Sequence, residues 1–101
     1  MRIITILSPT GEHGTKGEYT KYRERLRADG YMPLGNDIFM CVTTSRKAAQ
    51  RRAKQTDMFV PKTGRVIRFL MTERQWSKRE YLVGEVSYQE KVVGALDHVV
   101  L

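Results

Sequence analysis

Apolar positions in this chain change period several times, and each change marks an element. Ile3, Ile4, Ile6 and Leu7 form a β-branched run that stops at Ser8-Pro9, so residues 2–8 read as a strand. Three glycines follow, Gly11, Gly14 and Gly17, and residues 9–16 are expected to be a loop. Tyr19, Tyr22 and Leu26 then recur at helical spacing, which predicts a helix over 17–29 that Asp29-Gly30 stops. On its other faces Lys21, Arg23, Glu24, Arg25 and Arg27 meet water or a partner.

"YMPLG", residues 31–35, carries Pro33 and suits an edge strand, with a tight turn at Gly35-Asn36. "DIFMCVTT", residues 37–44, is almost wholly apolar and reads as a central strand. Ser45 is placed to cap a helix running to about residue 56. The apolar face of that helix is only Ala48, Ala49 and Ala53, so it should pack closely on something flat, as a sheet is. "VPKTG" reads as a loop, "RVIRFLMT" as a fourth strand, and "ERQWSKREYLV" as a short helix anchored by Trp76. Residues 84–95 look irregular, and "LDHVVL", residues 96–101, looks like a strand. The order β-α-β-β-α-β predicts a ferredoxin-like α+β sandwich, one domain over 1–101 with an additional C-terminal strand. In that topology the third strand runs antiparallel beside the first, which brings Asp37 close to Ser8.

Charge changes the picture more than composition does. The 101 residues carry a formal net charge of +7, and 41% are hydrophobic. Between residues 46 and 68 stand eight bases, Arg46, Lys47, Arg51, Arg52, Lys54, Lys62, Arg65 and Arg68, against the single acid Asp57. That surplus of seven equals the whole net charge, because the remaining ten bases and ten acids cancel. A surplus confined to one segment is the footprint of a polyanion site. Arg46, Lys47, Arg51, Arg52, Lys62 and Arg65 are the candidate phosphate contacts, with Lys16, Lys21 and Arg23 on the first helix as a second group.

Several chemistries find no support in the residues. The single Cys41 excludes an intrachain disulfide and a cysteine-rich zinc site, and it sits in an apolar run as a buried thiol would. A reducing compartment fits, no signal peptide or membrane-length run is evident, and a cytoplasmic location is expected. The glycines do not form a phosphate-binding loop, no nucleophile elbow is present, and His13 and His98 lack ligand spacing. "GTKG" matches the G-x-x-G of the KH module, but it follows a strand, which is the wrong context. Trp76 and Tyr81 read as packing anchors rather than base-stacking platforms.

Two stretches, "RLRADGYMPLGNDIFMCVTT" and "VPKTGRVIRFLMTERQWSKREYLVG", together with the tail "DHVVL", resemble the small CRISPR-associated family of spacer acquisition, the Cas-two family. The similarity is nearest to members from systems with a Cas-nine-type effector. The resemblance implies a homodimer whose terminal strand, here 96–101, crosses to extend the partner's sheet. It implies two further partners, the Cas-one integrase and double-stranded DNA held through its phosphates along a basic face. No cofactor is required for that scaffold role.

Some family members are magnesium-dependent nucleases that use an aspartate at the end of the first strand, one from each subunit. Here that position is Leu7, or Ser8 if the register slips by one, and neither supplies a carboxylate. An acid appears nearby instead, at Asp37. Asp37 is therefore either a turn residue bonded to backbone or a relocated metal ligand and catalytic acid, with Ser8 beside it. Three readings stay open: a DNA-binding scaffold, a metal-dependent endonuclease of RNA or DNA, and an unrelated ferredoxin-like RNA-binding or toxin protein.

Overall fold

The computed structural model describes residues 1–10 and 13–84. The elements are β1 (Arg2–Ser8), α1 (His13–Ala28), β2 (Met32–Pro33), β3 (Ile38–Val42), α2 (Arg46–Thr56), a 3-10 turn (Asp57–Phe59), β4 (Arg65–Met71) and α3 (Glu73–Ser77). The four strands form one antiparallel sheet in the order β2-β3-β1-β4, and the fold is ferredoxin-like. The expected terminal strand at 96–101 lies outside the described residues, as does most of the stretch expected to be irregular.

β1 is central and buried on both faces, which is why its apolar residues run almost without a break. Ile3 and Leu7 point toward the two helices and meet Phe39 and Cys41 of β3, with Val66 and Leu70 of β4 packed alongside. Tyr19, Tyr22 and Leu26 of α1 and Ala49 and Ala53 of α2 close that layer. The alanines let α2 lie close to the sheet, as their spacing predicts. On the opposite face Ile4, Met32 and Met40 form a second cluster with Ile6, Leu34, Val42, Met71 and Trp76. No described helix but α3 packs there, and Ile38, Ile67 and Phe69 stay 38%, 46% and 41% exposed.

Element boundaries depart from the sequence expectation in four places. α1 starts at His13 rather than residue 17, so "GTKG" lies in its first turns and not in a loop. Gly17 faces open space, and a helical glycine costs about 0.5–1 kcal/mol, small beside the burial of Tyr19, Tyr22 and Leu26. At its other end α1 stops one residue early. Tyr31 N–H donates to Leu26 O at 2.9 Å and Gly30 adopts φ 91°, a left-handed cap.

β2 shrinks to two residues because Pro33 has no N–H and the Tyr31 N–H is spent on α1. Leu34 N–H returns to Ile38 O at 2.8 Å and closes the turn into β3. The last helix is confined to Glu73–Ser77 instead of reaching residue 83. Thr72 and Gln75 cap it reciprocally, and Lys78 N–H closes its final turn.

Candidate nucleic-acid interface

α2 begins where Ser45 Oγ accepts the Ala48 N–H at 3.1 Å. Ala49, Ala53 and Thr56 fix its buried side. At 100° per residue the opposite side is centred on Lys47, Arg51 and Lys54, spaced i, i+4, i+7, and all three are exposed. Their axial separations are about 6 Å and about 4.5 Å at 1.5 Å per residue. None of the three makes an ion pair among the described residues. No acid lies between residues 46 and 56, and the first turn holds Arg46 and Lys47 where the helix dipole favours carboxylates. A cation there opposes the dipole by a few tenths of a kcal/mol. The helix would be more stable without these two first-turn charges, so the fold alone does not account for them, whereas Lys54 in the last turn suits the dipole.

The other predicted contacts fall in three places. Lys62 and Arg65 are exposed at the Ser8 end of the sheet, where Ser8 pairs with Arg65. Their loop is fixed to α1: Lys62 N–H donates to Glu18 Oε2 at 3.2 Å, and Tyr19 Oη donates to Thr63 O at 2.9 Å. Arg52 turns to the flank of α2 facing α1. Its Nη2 is 3.0 Å from where a Cβ on Gly30 would stand, so it covers the Asp29-Gly30 turn rather than extending the exposed stripe. Burial pushes the Cys41 thiol up, and Arg52 pulls it partly back. The side chain of Lys16 lies outside what is described, while Lys21 is exposed on α1.

Arg23 is occupied. Its Nε and Nη2 donate to Asp37 Oδ1 at 2.9 and 2.6 Å. Asp37 does stand beside the end of β1, as the topology predicts, with Leu7 N–H donating to Asp37 O at 2.8 Å. The side chain, however, ties the start of β3 to α1. Among the described residues no group of three His, Cys, Asp or Glu side chains could hold a metal ion. One carboxylate already bonded twice by a guanidinium, with Ser8 nearby, does not fit magnesium, which needs several oxygen ligands in octahedral array.

Sequence reasoning passed over three features. Lys54 lies in the basic run outside the candidate contacts, although its i, i+7 relation to Lys47 is a readable signal. Arg68 pairs with Asp57 through Nη2 and Oδ1, and the same nitrogen donates to Ala53 O at 3.0 Å. Arg2 is only 3% exposed, with Nε 3.0 Å from Glu73 Oε2 and its guanidinium 4.8 Å from the Trp76 ring centroid. An arginine opening a strand gives no sequence signal for such a partner. No described helix is long and apolar enough to cross a membrane.

No family model matches the chain. It is similar to three curated proteins, each named CRISPR-associated endoribonuclease Cas2. The one from Ligilactobacillus salivarius is 27% identical over 86 residues, 84% of this chain and 85% of that protein. The one from Campylobacter jejuni is 27% identical over 93 residues, 91% of this chain and 65% of that protein. The one from Acidovorax ebreus is 28% identical over 96 residues, 94% of each. Similarity over nearly the whole chain, in three proteins of one name, supports the Cas2 family and a CRISPR context.

Proposed function

We propose that this chain is a DNA-binding scaffold subunit of spacer acquisition, of the kind found in systems with a Cas-nine-type effector. It holds a duplex by its phosphates along α2 and bridges integrase dimers as a homodimer. The observation that carries this reading is the stripe Lys47, Arg51 and Lys54, which makes no ion pair among the described residues and stands on a helix whose first turn holds Arg46 and Lys47 and no acid. Lys62 and Arg65 extend the basic surface toward the Ser8 end of the sheet. Dimerisation is supported by the sheet face that α3 alone among the described helices covers, where Ile38, Ile67 and Phe69 are each more than a third exposed.

The test is duplex binding as a function of salt. Each phosphate contact contributes about 0.9 to the slope of log K against log salt, so alanine at all three stripe positions should reduce it by about 2.7 per protomer. Affinity should be nearly the same for unrelated duplex sequences, because phosphate contacts do not read bases. An unchanged slope in the triple variant removes α2 from the interface.

A second reading, a metal-dependent endonuclease, is favoured by the name of the three relatives. It would need magnesium and an acid such as Asp37, one from each subunit of the dimer. Cleavage of labelled RNA or duplex DNA with magnesium or manganese that disappears in Asp37→Ala would establish it. The scaffold reading expects no cleavage in either protein with DNA binding retained.

A further inference from the structure

Between α2 and β4 lies an open cavity of about 440 Å³ that shares only Lys54 with the stripe, lined by Gln50, Ala53, Lys54, Asp57, Arg68 and Leu70. Its volume is within the range of small-ligand sites, about 300–1,000 Å³. Ala53 and Leu70 give it an apolar wall. The polar groups are unlike those of a phosphate site, because a carboxylate stands among them. Arg68 holds Asp57 through Oδ1, and Oδ2 accepts no hydrogen bond from the described residues. Half of the Asp57 side chain is exposed. Lys54 belongs both to this cavity and to the exposed stripe, so the opening adjoins the stripe.

Resting on the nucleic-acid reading above, we propose that the cavity takes one unpaired guanine of the bound strand. Asp57 selects the base. An ionised carboxylate only accepts, and it accepts best from two N–H groups side by side. Guanine offers N1–H beside its N2 amino group on one edge. Adenine and cytosine each set an acceptor beside their amino group, and thymine and uracil set carbonyls on both sides of a single N–H. Those acceptors would face a negative charge. Lys54 and Gln50 bring donors for guanine O6. Arg68 acts on the base only through Asp57, by fixing the carboxylate.

The experiment measures binding of a labelled duplex carrying a single unpaired nucleotide at one 3′ end, at fixed salt. The overhang is G, A, T or inosine, with a blunt duplex as reference. The expected result is about fivefold tighter binding for G than for A or T, the scale of one charge-assisted hydrogen bond at a partly exposed site. Inosine, which lacks the N2 amino group, should lose most of that gain, and this comparison changes the ligand and not the protein. Asp57→Asn should abolish the preference without weakening the blunt duplex, and Gln50→Ala should reduce it. A guanosine overhang in RNA run in parallel shows which strand class the cavity favours, and a preference with either sugar supports the site. Equal affinity for every overhang, with binding still dependent on Lys47 and Arg51, overturns the guanine site and leaves the stripe standing. Loss of all duplex binding by the wild-type chain overturns both.

Discussion

Gly64 closes the loop that carries Lys62 and leads into Arg65, and replacing it with alanine should destabilise the protein strongly. Gly64 has φ 78°, where an alanine pays about 1–2 kcal/mol for its Cβ. The added Cβ would also land inside van der Waals contact of Tyr19 Oη and 3.0 Å from Ser8 O. Tyr19 is fully buried and its hydroxyl bonds Thr63 O, so it moves only by losing that bond, worth about 1 kcal/mol, and by straining the core, worth about 1–3. The sum is about 3–6 kcal/mol, a large share of the roughly 5–15 expected for a chain of this length.

Urea unfolding followed by circular dichroism, at one protein concentration, should show a midpoint lowered by roughly 2 M. Gly17→Ala, in open space on α1, should do the opposite and stabilise by about 0.5–1 kcal/mol. Tyr19→Phe removes the atom the new Cβ meets, so the double variant should be less destabilised than the two single changes added together. A Gly64→Ala midpoint within error of wild type would refute this account of the loop.

Burial, with Cys41 as a second cause, pushes Tyr31 up to about 12 from the ordinary 10. The folded state then keeps a proton that the unfolded chain releases, so stability should hold below pH 10 and fall by roughly 2–3 kcal/mol as pH rises toward 12; Tyr31→Phe should flatten that decline. Cys41, with its thiol pushed up by burial, should resist alkylation at pH 8 in the native protein and react at once in denaturant. Glu73→Gln should cost about 1–3 kcal/mol by urea unfolding, because it leaves the buried Arg2 guanidinium without its carboxylate. On the proposed dimer, Phe69→Asp, on the sheet face that carries α3, should give a sedimenting monomer where the wild type gives a dimer.

Periodicity made the strands readable because each buries a defined face: the run from Ile3 to Leu7 belongs to a strand covered on both sides, and the cap at Ser45 stands where it was expected. The start of α1 was not readable, because local glycine content argues for a loop while Tyr19, Tyr22 and Leu26 hold the helix from roughly two to four turns away. At the candidate site, topology alone placed Asp37 beside the end of β1 through backbone pairing. What its carboxylate does depends on Arg23, fourteen positions earlier on a different element. Sequence spacing carries no information about such a meeting. Arg52 shows the same limit: it sits in the basic run, yet its position on the helix turns it toward Gly30.

Pairing also changes the meaning of the charge count. Net charge treats the bases of α1, β1, α2 and β4 alike. In the folded chain Asp37, Asp29, Asp57 and Glu73 hold Arg23, Arg25, Arg68 and Arg2. Two of those four bases, Arg23 and Arg68, had counted toward a polyanion site or its basic surplus. A guanidinium already bonded to a carboxylate must give up that bond before it neutralises a phosphate, so it adds little to counterion release. The stripe of Lys47, Arg51 and Lys54 has no such bond to give up among the described residues. Asp37→Ala therefore bears on both readings at once. It frees Arg23 at the Ser8 end of the sheet, so a scaffold should bind duplex more tightly with a steeper salt dependence, by up to about 0.9 in slope per protomer. A nuclease relying on Asp37 should lose cleavage instead.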